Sequence, residues 1–337
     1  TDLHHAAGLL LAALFLALVG LLIRAVRWRR IGRPAPVHWR RVLRLPVLYK
    51  RQVADTVARR GQPARMHRAV AAGFTGTLLL ALAVHGLALR GWPAWALLVA
   101  GALLLYGSGL AWARRRAKRG KAKKGTLSRD ARARLPWTLG ALALGLAWPT
   151  GVAAGIAPDL PLTHPLPLGA AALLALGCAE IAAAGFGGPL MHAATGLLFL
   201  VAHPRPDRFR PAGHPDTGLR PSGPEGKGLV TPRDLEWREI LELEACTRCG
   251  RCQAACPAYR AGAPLNPKRL VLDMAAAAMG PGQSQEGKGH PGTNGAAAPG
   301  GPDREFVGTV VRPETLWACT FCRACVYECP VAIELWT

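Results

Sequence analysis

Cys246-Thr247-Arg248-Cys249-Gly250-Arg251-Cys252-Gln253-Ala254-Ala255-Cys256-Pro257 and Cys319-Thr320-Phe321-Cys322-Arg323-Ala324-Cys325-Val326-Tyr327-Glu328-Cys329-Pro330 repeat one spacing in a chain of 337 residues. Eight of the nine cysteines fall in these two runs. The spacing is the one that holds [4Fe–4S] clusters in two-cluster bacterial ferredoxins. Three thiolates two residues apart wrap one cubane; the fourth, held by the proline after it, reaches the other. The expected ligand sets are therefore crossed, with Cys246, Cys249, Cys252 and Cys329 on one cluster and Cys319, Cys322, Cys325 and Cys256 on the second. Zinc needs four donors at one tetrahedral centre, usually as two separated Cys-x2-Cys pairs or with histidine, and an even three-cysteine comb does not supply that. Structural disulfides fail on compartment, because the charge pattern below puts this end of the chain in the reducing cytoplasm. The runs predict a protein that moves electrons.

Upstream the composition changes. Residues 1–203 alternate long apolar runs with arginine-rich stretches, so the overall 50% hydrophobic content averages a membrane half and a soluble half. Candidate crossings are Leu3–Ile23, Ala69–Leu89, Ala94–Ala113, Trp137–Ile156 and a last one ending near Ala202. The first four each hold about the 20 apolar residues that a bilayer demands. Leu3–Ile23 is not patterned as a signal peptide: no basic residue precedes it, and Arg24, Arg27, Arg29 and Arg30 follow it.

Charge sets the expected topology. Residues 24–68 carry fourteen Lys/Arg against Asp55 alone, and residues 114–134 carry eleven against Asp130 alone. By the positive-inside rule both loops are cytoplasmic, the amino terminus is outside, and five crossings return the cysteine runs to the cytoplasm. These loops hold twenty-five of the 42 basic residues, so the net charge of +22 reflects topology and anionic lipid headgroups. No nucleic-acid partner is expected. The apolar stretch Leu166–Ala202 is too long for one span. It reads as an interfacial or partly inserted helix over Leu168–Ala184, then a short fifth crossing, with Glu180 facing protein or headgroups.

Ionisable residues in membrane helices default to a functional reading. His67 and His85 are 18 residues apart in the second crossing, five whole turns and about 27 Å along one face. His192 and His203 bracket the last crossing, about three turns and about 16 Å apart. In antiparallel helices His67 can meet His203, and His85 can meet His192. Each pair would clamp a haem b iron between imidazoles, once helix tilt absorbs the difference of about 10 Å. Two haems are expected, or one if a single pair forms.

A five-helix haem domain joined to a double-cluster module resembles the fused membrane iron–sulfur oxidoreductases related to heterodisulfide reductase. Their membrane half is similar to the gamma subunit of respiratory nitrate reductase. The resemblance is carried by Met66-His67, Thr150-Gly151 and Met191-His192-Ala193. In the soluble part it is carried by Ala245 through Cys252, Cys256-Pro257-Ala258-Tyr259 and Trp317-Ala318-Cys319-Thr320. It implies an all-α chain: a five-helix transmembrane bundle, then a cytoplasmic α-helical ferredoxin domain, in the inner or plasma membrane. It also implies electron transfer between menaquinone and a cytoplasmic partner, either electron-transfer flavoprotein or a disulfide-type catalytic subunit built of CCG repeats. This sequence holds no CCG repeat, so that domain is expected on a separate polypeptide or in a longer protein of which this is a piece.

The expected divisions are a transmembrane haem domain (1–203), a Pro/Gly-rich linker (204–232) and a ferredoxin-like domain (233–337) with a disordered insertion (280–302). Within the last, Asn266-Pro267 reads as an N-cap followed by proline at the first helical position. A membrane-anchored iron–sulfur assembly or sensor subunit without haem is the alternative function. A zinc-dependent membrane regulator is a third.

Overall fold

The computed structural model describes residues 2–37, 39–59, 61–121, 134–202, 228–280, 302–331 and 333. In chain order its helices are α1 (Asp2–Ile31), α2 (Leu45–Tyr49), α3 (Asp55–Ala58), α4 (Gly61–Gly86), α5 (Trp92–Lys121), α6 (Leu135–Ala153) and α7 (Pro165–Ala183). They continue as α8 (Met191–Ala202), α9 (Trp237–Glu244), α10 (Arg251–Ala255), α11 (Pro257–Arg260), α12 (Pro267–Met279), α13 (Pro313–Trp317) and α14 (Ala324–Glu328). No strand forms among the described residues, only isolated bridges. The all-α expectation holds. Most of the expected linker and insertion lies outside the described residues, as does much of the second basic loop.

Two compact units divide the chain: Thr1–Ile23 with Val57–Met191, and Arg24–Thr56 with His192–Thr337. This division differs from a cut at residue 203. The second unit takes in the first basic loop and α8, along with the cysteine runs.

The first unit is the membrane bundle. His4–Ile31, Gly61–Gly86, Trp92–Ala117 and Pro165–Phe186 are each long and apolar enough to cross a bilayer. Their outward faces carry exposed Phe15, Leu18, Leu79, Val99 and Leu176, the side chains a lipid-facing surface requires. α6 lies among them and is the most enclosed, with Leu139, Leu142 and Leu146 buried. Glycines set the closest approaches. A Cβ on Gly145 would stand 2.3 Å from the Leu174 nitrogen, and one on Gly73 2.5 Å from the Leu104 nitrogen. Backbones pack this tightly in membranes through small residues, because lipid gives no hydrophobic drive for helix association.

One sequence expectation is corrected here. The stretch read as interfacial forms the full helix α7, and with its 3-10 extension it spans 22 residues. The segment read as the fifth crossing is α8, only 12 residues long. At 1.5 Å per residue α8 reaches about 18 Å, short of the roughly 30 Å hydrocarbon core. The fifth long helix of the bundle is therefore α7. Its one acid, Glu180, is neutralised by Arg134, a partner 46 residues away that no local pattern reveals.

In the second unit Asn266 accepts a hydrogen bond from the Arg269 nitrogen (3.2 Å) and starts α12 with Pro267 at its first position, as expected. α9 carries Ile240, Leu241 and Leu243 into the core and ends two residues before Cys246.

Candidate functional site

The two cysteine runs follow the same backbone path. Arg248 and Phe321, each just before the second cysteine, have φ of 52° and 51°. Gly250 and Arg323, each just after it, have φ of 75° and 58°. Left-handed residues at matching places turn successive N–H groups to one side of the chain, the concave arrangement found around anions and iron–sulfur sites. Each run then enters a five-residue helix, α10 or α14. It leaves through an extended cysteine, Cys256 (φ −70°, ψ 120°) or Cys329 (φ −75°, ψ 121°). Two different sequences thus build one motif twice.

Its product is a crossed grouping of thiols. A pocket is lined by Cys246, Cys249, Cys252, Cys325 and Cys329, together with Lys268, Val271 and Ile333. Cys256 sits in an apolar cluster with Leu265, Leu270 and Val311, against which Cys319 packs. Burial, then the crowding of Cys246, Cys329, Cys249 and Cys325, pushes the Cys252 thiol far above its ordinary value. Cys325 is pushed up to about 12, first by burial and then by Cys319, Cys256 and Cys322. Cys329 is pushed up to about 12, mainly by burial, with Cys249 and Cys246 adding to it.

The donor set suits an iron–sulfur cubane. It is all thiol, with Cys246 and Cys256 buried, and Lys268 lines the first pocket as a counter-charge for thiolates. Among the described residues no three His, Cys, Asp or Glu side chains converge as a single ion demands. Cys249 and Cys322 remain exposed, so each group has one solvent-facing edge.

Sequence reasoning missed what holds the first run in place. Glu244 is buried, and both its oxygens are engaged by α1: Arg24 Nη1 donates to Oε1 at 2.6 Å and Trp28 Nε1 donates to Oε2 at 2.6 Å. The loop after α1 joins the same unit. Trp237 Nε1 donates to the Ala35 carbonyl (2.9 Å), and buried Arg251 Nη1 donates to the Thr56 carbonyl (3.0 Å). α8 contributes too, since a Cβ on Gly196 would touch Val331, two residues past Cys329, at 3.6 Å. The first basic stretch is therefore structural. Its one legible signal is the Arg24/Trp28 spacing of four, which puts both donors on one helix face.

The expected histidine pairs draw on different parts of the chain. His67 and His85 both lie on α4, His192 opens α8 in the second unit, and His203 lies outside the described residues. His85 is fully buried; its Nε2 is 3.2 Å from Thr150 Oγ1 and its Nδ1 has no hydrogen-bond partner. Among the described residues of the first unit, His85 is the buried histidine.

A second polar level crosses the bundle near the start of α6. Arg134 Nε donates to Glu180 Oε2 at 2.9 Å, with the Glu180 side chain 2% and the Arg134 side chain 54% exposed. Glu180 Oε1 is buried without a partner, as is Ser108 Oγ on α5.

The comparisons fit this picture. A family model described as a domain of unknown function (DUF3483) matches residues 4–225, and a 4Fe-4S dicluster domain model matches residues 242–333. A protein of Chromohalobacter salexigens named "Probable membrane-anchored ferredoxin" is 39% identical over 341 residues, covering 97% of this chain and 50% of that protein. An "EtfAB:quinone oxidoreductase" of Syntrophomonas wolfei is 37% identical over 118 residues, 32% of this chain and 16% of its own length. A "Probable iron-sulfur-binding oxidoreductase FadF" of Bacillus subtilis is 30% identical over 131 residues, 33% of this chain and 19% of its own. The chain thus spans half or less of the curated relatives it matches. No solved structure matches it.

Proposed function

Since the chain belongs to the DUF3483 family and joins that domain to a 4Fe-4S dicluster domain, we propose that it relays electrons between a membrane quinone and a redox partner at the cluster module. It is a membrane-anchored iron–sulfur electron-transfer protein related to quinone oxidoreductases. The finer reading rests on one observation, the crossed grouping of eight thiols in a chain whose other unit is a lipid-facing bundle.

In this reading Cys246, Cys249, Cys252 and Cys329 hold one [4Fe–4S] cluster, and Cys319, Cys322, Cys325 and Cys256 hold the other. Bound there, the clusters supply one-electron steps at potentials set by burial and hydrogen bonding. The chain's own residues do the rest. Extended Cys256 and Cys329 cross between the runs and lock their separation. Lys268 offsets thiolate charge. Exposed Cys249 and Cys322 leave an edge through which a partner is approached. Glu244, held by Arg24 and Trp28, fixes the first run on the end of α1.

Menaquinone is the quinone expected, and an electron-transfer flavoprotein or a CCG-repeat disulfide-type subunit is the partner class. The name of the Syntrophomonas relative supports the former. The basic loops support a cytoplasmic cluster module and an outer amino terminus. Haem b belongs to this reading through His85, whose buried, unpartnered Nδ1 is an available ligand atom. His67, His192 and His203 are the other candidate axial ligands, and a pyridine haemochrome assay counts the haem.

The test uses anaerobically purified protein in detergent. The clusters are reduced with stoichiometric dithionite and a naphthoquinone analogue is added. Prompt reoxidation of the cluster absorption supports the relay. Clusters that stay reduced, yet reoxidise with ferricyanide, overturn it and leave an anchored ferredoxin.

A further inference from the structure

Resting on the quinone reading above, we propose that Glu180 is the proton-exchanging group of that reaction, serving a quinone oxygen inside the bundle and opening to water beside Arg134. A carboxylate in a membrane helix is expensive and is kept enclosed and paired, and Glu180 is both. A merely structural pair would use both oxygens, as Glu244 does with Arg24 and Trp28. Glu180 uses one: Oε2 accepts from Arg134, while Oε1 is enclosed with nothing to bond. A buried acceptor left open carries a desolvation penalty that a bound donor would remove.

A second open oxygen lies at the same level. On α5, Ser108 falls between Leu105, which a Cβ on Gly140 would approach at 3.9 Å, and Trp112, whose ring meets Trp137 edge-on at 6.1 Å. Ser108 therefore faces the Trp137–Gly140 turn of α6. On α7, Gly177 abuts Leu142, and Glu180 is one turn nearer the α6 start. Glu180 Oε1 and Ser108 Oγ are both enclosed and unpartnered. A quinol hydroxyl is complementary to Glu180 Oε1, since it donates to a carboxylate.

The rest of the level is simple. α6 carries no further ionisable group, the 3-10 turn Ala184–Phe186 carries none, and α1 up to Ile23 has only Asp2, His4 and His5, all near its other end. On α7 itself Cys178 lies two residues away. Arg134 is thus the one charge facing Glu180 among these elements, and its half-exposed side chain is the connection to water.

The step balances as QH2 → Q + 2 H⁺ + 2 e⁻. The electrons leave one at a time to the cluster module. The Glu180 carboxylate takes a hydroxyl proton, releases it at Arg134, and resets for the second. Quinone reduction runs the same path backwards.

The experiment compares wild type, Glu180→Gln and Glu180→Asp in anaerobic proteoliposomes with a reduced naphthoquinol. The readouts are quinol-driven cluster reduction against pH, dithionite reduction as control, and the redox-difference infrared spectrum. Expected is a loss of about 10²-fold for Glu180→Gln, with a flattened pH profile and loss of a carboxyl C=O band. Glu180→Asp should recover part of the rate, and dithionite reduction should be unchanged in all three. Glu180→Gln reacting at the wild-type rate with the wild-type pH profile and band would overturn the inference and leave the quinone reading standing. Wild type that never reacts with quinol, though dithionite reduces it, would overturn both.

Discussion

Glu244 sits where a charge is hardest to keep, buried two residues before a cluster cysteine, and two donors from α1 satisfy it. Glu244→Gln turns one charge-assisted acceptor into a poorly matched amide. It should destabilise the second unit by about 1–3 kcal/mol, read as earlier thermal bleaching of cluster absorption. Trp28→Phe, which removes one donor and leaves Oε2 empty, should lie in the same direction. At the cysteines, Cys256→Ser should cost the cluster of the second run and Cys329→Ser that of the first, each lowering iron from about eight to about four per chain. Spectra showing that each variant loses its own run's cluster would contradict the crossed sets. Protons matter as well. Cys325 and Cys329 are held as neutral thiols up to about 12, while only thiolates ligate iron. Loading must therefore expel protons, so anaerobic reconstitution should improve from pH 6 to pH 9 and release acid as it proceeds. The grouping of the cysteines was legible because three of each expected set lie within seven residues. The Glu244 pairings, 216 and 220 residues apart in sequence, were not.

At the scale of elements, the bundle depends on where side chains are missing. Gly145→Leu drives a side chain into the α7 backbone, where even a Cβ would stand 2.3 Å from a nitrogen. The expected outcome is a fall in detergent melting temperature far beyond that of Gly101→Leu, where a Cβ meets nothing within 4 Å. Equal effects would contradict glycine-mediated packing of α6 on α7. Helix positions were mostly legible from apolar runs. The division between α7 and α8 was not, because Leu166–Ala202 has no charge pattern and its punctuation, Gly185 to Pro189, is compatible with either allotment. Length decides it: 22 residues suffice for a crossing and 12 do not.

At the scale of the whole molecule, the chain joins a lipid-facing bundle to a double-cluster module. α1 contributes its first part to one unit and its arginine-rich end to the other. Composition alone showed a membrane half and a soluble half. It could not show that residues 24–56 pack with the cysteines, since their arginines also satisfy the positive-inside rule. The account stands on quinone and clusters exchanging electrons within this one chain. The most direct measurement is anaerobic stopped-flow absorption on full-length protein in liposomes, with menaquinol confined to the bilayer as the only reductant. The account predicts cluster bleaching that scales with bilayer quinol and is abolished when Cys246 and Cys319 are both replaced by serine. Clusters that dithionite reduces but bilayer menaquinol leaves oxidised, and that menaquinone cannot reoxidise once reduced, would contradict it.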